Sequence, residues 1–147
     1  MKCINEVKLT FPAKSANEAF ARSAVAAFTM QLDPTVSELS DIKTSVSEAV
    51  TNAIVHGYKG QKGLVYITMQ IFENGVISVK IRDKGCGIED IEKAMEPLFT
   101  TGGEERAGLG FAVMESFMDK LTVKSVINKG TTVVLKKKLS VRVAKNG

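Results

Sequence analysis

The chain has 147 residues, 44% of them apolar and 24% charged, and a formal net charge of +4. That is one domain's worth of sequence with enough apolar residues for a core. No apolar run reaches the ~18 residues that span a bilayer, and no basic stretch leads into an apolar segment as in a secretory signal, so a cytoplasmic, membrane-free protein is expected. Cys3 and Cys86 have neither metal-ligand spacing nor a disulfide framework around them. The lysines are scattered, the densest run is Lys136-Lys137-Lys138, and no aromatic residues interleave with them. This disfavours nucleic acid and favours a solvated edge or a surface for an acidic protein.

Residues 4–11 alternate apolar and polar, as a half-buried strand does. Ser15-Ala16-Asn17-Glu18 reads as a capping box opening an Ala-rich helix to about Gln31. After Asp33-Pro34, a second capping box, Thr35-Val36-Ser37-Glu38, opens a helix expected to reach His56 and stop at Gly57. Ile42, Val46, Ala49, Val50 and Ala53 form its core stripe at i, i+3, i+4 spacing. Two strands follow, 63–73 and 76–83, joined at Asn74-Gly75, a pair whose residues favour positive φ in a tight hairpin. Residues 84–107 are Gly-rich and charged, with a short helical candidate at 91–95. A helix is predicted over 108–118, then strands 121–127 and 131–139 around Asn128-Lys129-Gly130. The order implies a single α/β (α+β) domain over 1–140 with a frayed tail at 141–147. A two-layer sandwich is expected: a mixed, mostly antiparallel sheet with helices on one face.

Three clusters carry candidate chemistry. Glu48, Asn52 and His56 stand at i, i+4 and i+8, on one helix face opposite the apolar stripe. Spacing alone is equally that of a solvated polar face. An Asn carbonyl is nevertheless a hard oxygen ligand suited to Mg²⁺ beside phosphates, and a carboxylate one turn away can take a proton from an attacking hydroxyl. His56 also fits a plain C-terminal capping role. Asp83-Lys84-Gly85-Cys86-Gly87 ends a strand, where Asp83 can accept from an exocyclic amine while Gly85 and Gly87 let the backbone approach a ligand. Gly102-Gly103 and Arg106-Ala107-Gly108-Leu109-Gly110 open a helix, where backbone N–H groups can hold phosphates. Arg106, Thr100 and Thr101 stand nearby as further donors. There is no G-x-x-x-x-G-K-[ST] loop, and no strand feeding G-x-G-x-x-G.

Taken in order, E-A-V-T-N-A, D-K-G-C-G and G-L-G resemble the N, G1 and G2 boxes of the GHKL ATPases and kinases, with Thr132 at the family's Gly-Thr on the last strands. The chain is similar to the free-standing anti-sigma serine kinases of that group. It resembles the branch that governs the sporulation sigma factor F, with the stress-response sigma B branch as nearest competitor. The stretches 31–35, 47–58 and 97–101 carry the narrower likeness.

The resemblance implies a Bergerat-type fold and an ATP-dependent protein serine kinase. Glu48 would be the general base, Asn52 the Mg²⁺ ligand, and Asp83 the adenine acceptor supported by Thr132. Gly85 and Gly87 would shape the floor. His56, Thr100, Thr101, Arg106, Gly108 and Gly110 would surround the ATP or ADP. It further implies a homodimer that binds a sigma factor and phosphorylates an anti-anti-sigma protein. Residues 4–31 form the candidate surface for dimer and sigma, and Arg22 a candidate sigma contact. A nucleotide-gated sigma-binding module without transfer is the competing reading, and a carboxylate at position 48, which a pure binder does not need, disfavours it.

Overall fold

The computed structural model describes residues 1–95 and 102–140, with the side chains of 102–108 left aside. In chain order the elements are β1 (Cys3–Pro12), α1 (Ala16–Thr29), a 3₁₀ turn (Met30–Leu32), α2 (Val36–Thr51), a π-helical turn (Asn52–Gly57), β2 (Leu64–Phe72), β3 (Val76–Asp83), α3 (Ile91–Ala94), α4 (Gly102–Phe117), β4 (Lys120–Val126) and β5 (Gly130–Lys138).

The strands form one sheet in the order β1-β2-β3-β5-β4. All four pairings are antiparallel, which corrects the expected mixed sheet. The helical connection after β3 carries the chain past its neighbour to the far edge. β4 therefore runs parallel to β3, but β5 lies between them and no parallel pair becomes adjacent.

Alternation sorts the two faces. Val65, Ile67, Met69, Ile77, Val79, Ile81, Val133 and Leu135 are buried beneath the helices. Ile42, Val46, Ala49 and Val50 of α2 meet them, joined by Ala21, Val25 and Phe28 of α1 and Phe111 and Met114 of α4. Each such large side chain contributes roughly 1.5–3 kcal/mol on leaving water. The stripe expected for α2 is thus the core face, and the helices take one side of the sheet.

The two expected capping boxes diverge. At Thr35 the box forms: Glu38 N–H donates to Thr35 Oγ1 (3.0 Å) and Thr35 N–H to Glu38 Oε1 (2.9 Å). Its other carboxylate oxygen accepts from Ser140 N–H (2.8 Å), tying the start of α2 to the end of the sheet. Ser15, by contrast, has helical φ and ψ and no side-chain cap bond. Glu18 turns instead to Ser47 and Arg22, where a hydroxyl and a guanidinium offer more than one backbone N–H. Only Gly75 of the Asn74-Gly75 pair has positive φ (83°), and its N–H donates to Phe72 O (3.0 Å). The hairpin is therefore an ordinary turn closed by a left-handed glycine rather than a two-residue mirror-image turn.

The helix opened at Thr35 ends at Gly57, as expected, but changes pitch at Asn52, and Tyr58 N–H reaches back to Ala53 O (3.0 Å). One helix boundary moves. α4 begins at Gly102, six residues before Gly108. Glu104, Glu105 and Ala107 explain this, being good helix formers with acidic groups near the amino end.

Candidate functional site

The end of α2, the end of β3, α4 and the start of β5 enclose a cleft of about 1080 Å³. Its wall includes Asn52, His56 and Gly57 from the π-turn, Asp83, Cys86 and Gly87 from the β3 end, Phe111 from α4, and Thr131 and Val133 from β5. The arrangement follows from local chemistry. β3 and β5 pair Asp83 with Thr131, and the π-turn widens the helix where it meets them. Such single-turn widenings concentrate at functional sites.

Asp83 is only 5% exposed. Its Oδ1 accepts from Gly85 N–H (2.9 Å), and Thr131 N–H also donates to the carboxylate. Burial raises its pKa above the ordinary carboxylate value, and the two backbone bonds offset this only in part. Gly57 makes room for the group, since a Cβ there would lie 2.9 Å from the carboxylate carbon. A buried, half-satisfied carboxylate at the cleft wall is an acceptor that can read a ring amine.

Glu48 and Asn52 lie beneath α4. A Cβ at Gly110 would stand 3.0 Å from Glu48 Oε1 and 3.3 Å from Asn52 Nδ2, so a glycine is what lets α4 cross here. Asn52 Nδ2 is buried and has no hydrogen-bond partner among the described residues. An orphaned amide at a cleft wall fits a phosphate–metal group, to which it offers one hard oxygen and one donor.

The π-turn and Tyr58 after it are fastened by three bonds to the β3 end and by a fourth to the start of β2. Cys86 N–H donates to Gly57 O (2.9 Å) and Cys86 Sγ to His56 O (3.3 Å). Tyr58 hydroxyl accepts from Lys84 N–H (2.7 Å) and donates to Leu64 O (2.6 Å). A second fastening runs through Ser125, whose hydroxyl accepts from Ile88 N–H (2.7 Å) and lies 2.8 Å from Thr131 Oγ1.

The structure thus brings Asn52, His56, Asp83 and Gly87 to the cleft wall, with Glu48 and Gly110 packed behind Asn52 and Gly85 against the Gly57 backbone. Thr132 is not among them. It pairs with Arg82 and Lys124 on the opposite face, and the cleft threonine is Thr131. Because Val133 and Leu135 point inward, the two-residue period already puts Thr131, not Thr132, in their phase. Gly108 and Gly110 lie inside α4 rather than at its opening; their N–H groups belong to the helix ladder, and the free N–H end falls at Gly102-Gly103. Thr100 and Thr101 lie outside the described residues, as do the side chain of Arg106 and the tail at 141–147. Arg22 stands apart from the cleft wall, between Glu18 (3.2 Å) and Ser47 (3.4 Å) on the α1–α2 seam. Tyr58, Ser125 and Thr131 were not singled out from the sequence; only Thr131 had a readable signal, its strand phase.

The family model described as histidine kinase-like ATPase domain matches residues 11–137. The chain is 58% identical over 138 residues to the anti-sigma F factor of Geobacillus kaustophilus, covering 92% of this chain and 94% of that protein. It is 55% identical over 139 residues to that of Clostridium botulinum, covering 93% and 96%. The chain belongs to the anti-sigma F factor family. Its domain is a histidine kinase-like ATPase domain, which implies nucleotide binding. Among solved structures, the RsbU and RsbW domains of a Mycobacterium tuberculosis protein superpose with a TM-score of 0.69 at 20% identity, over 94% of this chain and 33% of that one. The histidine kinase domain of an Erythrobacter litoralis blue-light-activated kinase gives 0.56 at 18% identity, over 83% and 60%. Both likenesses concern the fold, with the antiparallel sheet and one-sided helices described above.

Proposed function

We propose that the chain is a Mg-ATP-dependent protein serine kinase that holds sigma factor F inactive and phosphorylates its anti-anti-sigma protein. The observation that carries the reading is a cleft with Asn52 and the buried Asp83 both on its wall, and Glu48 beside Asn52 under Gly110. Asp83 accepts from the adenine amino group, with Thr131 and Gly85 fixing its carboxylate. Asn52 holds the metal through its amide oxygen. Mg²⁺, when bound, supplies charge neutralisation on the phosphates. Glu48, one turn before Asn52, takes the proton from the serine hydroxyl as it attacks in line.

The partner surfaces follow from residues 4–31. Ile4, Val7 and Phe20 are 58%, 42% and 54% exposed along the β1 edge and α1, an apolar strip suited to a second copy. Arg22 is the proposed sigma contact. It is held by Glu18 and Ser47, next to Glu48, so a partner that draws Arg22 away also disturbs the neighbourhood of the base. Residues 1–140 act as one domain. Among the described residues no helix is long and apolar enough to cross a membrane, and we place the protein in the cytoplasm.

The test mixes the protein with labelled ATP, Mg²⁺ and the anti-anti-sigma protein and follows label on serine. Glu48→Gln is expected to lower transfer about 10²–10⁴-fold with nucleotide affinity retained. Unchanged transfer removes Glu48 from the role of base. Nucleotide binding without transfer in the unsubstituted protein leaves a nucleotide-gated sigma-binding module.

A further inference from the structure

The sheet face away from the helices carries a charge array that the nucleotide site does not use. Strand register sets it out in rows. Lys8, Thr68 and Lys80 face one another across β1, β2 and β3. The next row runs Gln70, Ser78, Lys136 and Lys120 across β2, β3, β5 and β4. On the other side run Tyr66, Arg82, Thr132 and Lys124, and Lys138 stands opposite Val76. The face therefore presents seven cations. Its one carboxylate, Glu6, is engaged by Gln70 Nε2 (2.7 Å). That surplus is larger than the +4 of the whole chain, so all of the protein's excess positive charge, and more, sits on this face. Among the described residues none of the seven cations is in an ion pair. Lys120 and Lys136 lie directly opposite each other, a like-charge pairing that costs the free sheet stability and that an anion relieves.

The middle of the face is a shallow trough of about 260 Å³. Lys8, Lys80 and Lys136 line it together with Glu6, whose carboxylate is held by Gln70, and Thr68 lies between them over the buried Ser78. Adjacent strands lie about 4.8 Å apart, so Lys8 and Lys80, two strands apart, have backbones about 10 Å from each other. Carboxylates on one loop can meet both while taking a bond from the Thr68 hydroxyl between them. We propose that this open face is a docking surface for an acidic segment of a protein partner.

Charge complementarity selects the occupant. A second copy would place like charge on like charge. A nucleic-acid strand would need stacking rings among the cations. Only Tyr66 and Phe72 share the outward phase, at opposite ends of β2, and Lys84 Nζ already stands 5.0 Å over the Tyr66 ring. Six of the seven cations are lysines, point charges that suit scattered carboxylates rather than the planar forks that clamp phosphates. The nucleotide cleft opens on the other face, with Thr131 and Val133, so the two ligands do not compete for space.

The experiment measures anisotropy of fluorescein-labelled decaglutamate with the full chain at 50 mM NaCl, beside a (dT)10 strand and vesicles of phosphatidylcholine with 30% phosphatidylglycerol. Lys80→Glu with Lys136→Glu is expected to weaken peptide binding about tenfold or more. Lys14→Glu with Lys62→Glu, of equal net charge but on the loops, is expected to stay within about threefold. Nucleotide affinity should be unchanged in both, and the melting temperature should not fall in either; in the sheet variant it should rise slightly, because Lys136→Glu turns the Lys120–Lys136 repulsion into an attraction. Equal weakening by the two double variants reduces the effect to net charge and overturns the proposal. So does a (dT)10 strand or vesicle that binds tenfold tighter than the peptide through the same lysines, which would make the face a phosphate surface.

Discussion

Removing one oxygen atom at Tyr58 tests how the cleft is held together. The ring is 8% exposed, and its hydroxyl joins Lys84 N–H at the end of β3 to Leu64 O at the start of β2. Tyr58→Phe keeps the ring's packing and leaves a backbone donor and a backbone acceptor without their partner. An orphaned buried group costs about 1–3 kcal/mol. Taking the low end for each, because both sit where a strand meets a loop, gives a loss of about 2 kcal/mol. For a chain near 150 residues, each kcal/mol moves the melting temperature by about 2–4 °C, so a fall of roughly 4–8 °C is expected. Lys84 follows Asp83 directly, so nucleotide affinity should drop several-fold as well. Thermal or urea unfolding, with and without ADP, reads both effects. A melting temperature within about 1 °C of the original would refute the claim that this hydroxyl braces the site.

Asp83→Asn is expected to weaken adenine nucleotide binding about 10–100-fold while leaving stability equal or higher, because a buried charge is removed; calorimetry and melting on one sample compare the two. The stability gap has a pH dependence of known sign. Burial raises the folded pKa of Asp83 above its reference value of 3.8, so its ionised form costs stability at neutral pH and that cost disappears as pH falls through the raised value. The advantage of Asp83→Asn should therefore shrink toward pH 4. Glu38 has the opposite sign. Burial pushes its pKa up, but the combined bonds from Thr35 and Ser140 outweigh this and hold it below 4.5, so its contribution is present above 4.5 and is lost as pH falls through the lowered value. Thr35→Ala removes the other half of that cap and should cost about 1 kcal/mol, read as a melting shift of about 2–4 °C.

Much of this molecule was legible because strong local signals agreed with the fold. The stripe from Ile42 to Ala53 is the core face of α2, and the Thr35–Glu38 box forms as its residue types predict. Failures arose where a side chain had a better offer from elsewhere. Ser15 and Glu18 have the spacing of a box, but Ser47 and Arg22, distant or a turn away, take the carboxylate. Motif position pointed to Thr132, whereas the phase of β5 puts Thr131 in the cleft. The start of α4 was misplaced because glycines were read as a loop while Glu104, Glu105 and Ala107 between them favour helix. The bracing role of Tyr58 had no sequence signal, since its two partners are backbone groups whose position only the folded chain defines.

The change of pitch at Asn52 has a consequence for how this segment can vary over evolutionary time. In a loop, an inserted or deleted residue is absorbed by slack. In a continuous helix it is a rotation, about 100° for every residue that follows. Val46 and Ala49 must face the sheet while, only a few positions later, Gly57 must meet Asp83 and Cys86. The widened turn supplies the offset between those two headings, so the length of the stretch from Glu48 to Tyr58 is itself a structural parameter. Descendants of this sequence can change an exposed side chain there, such as Val55, far more readily than they can change the number of residues in the stretch.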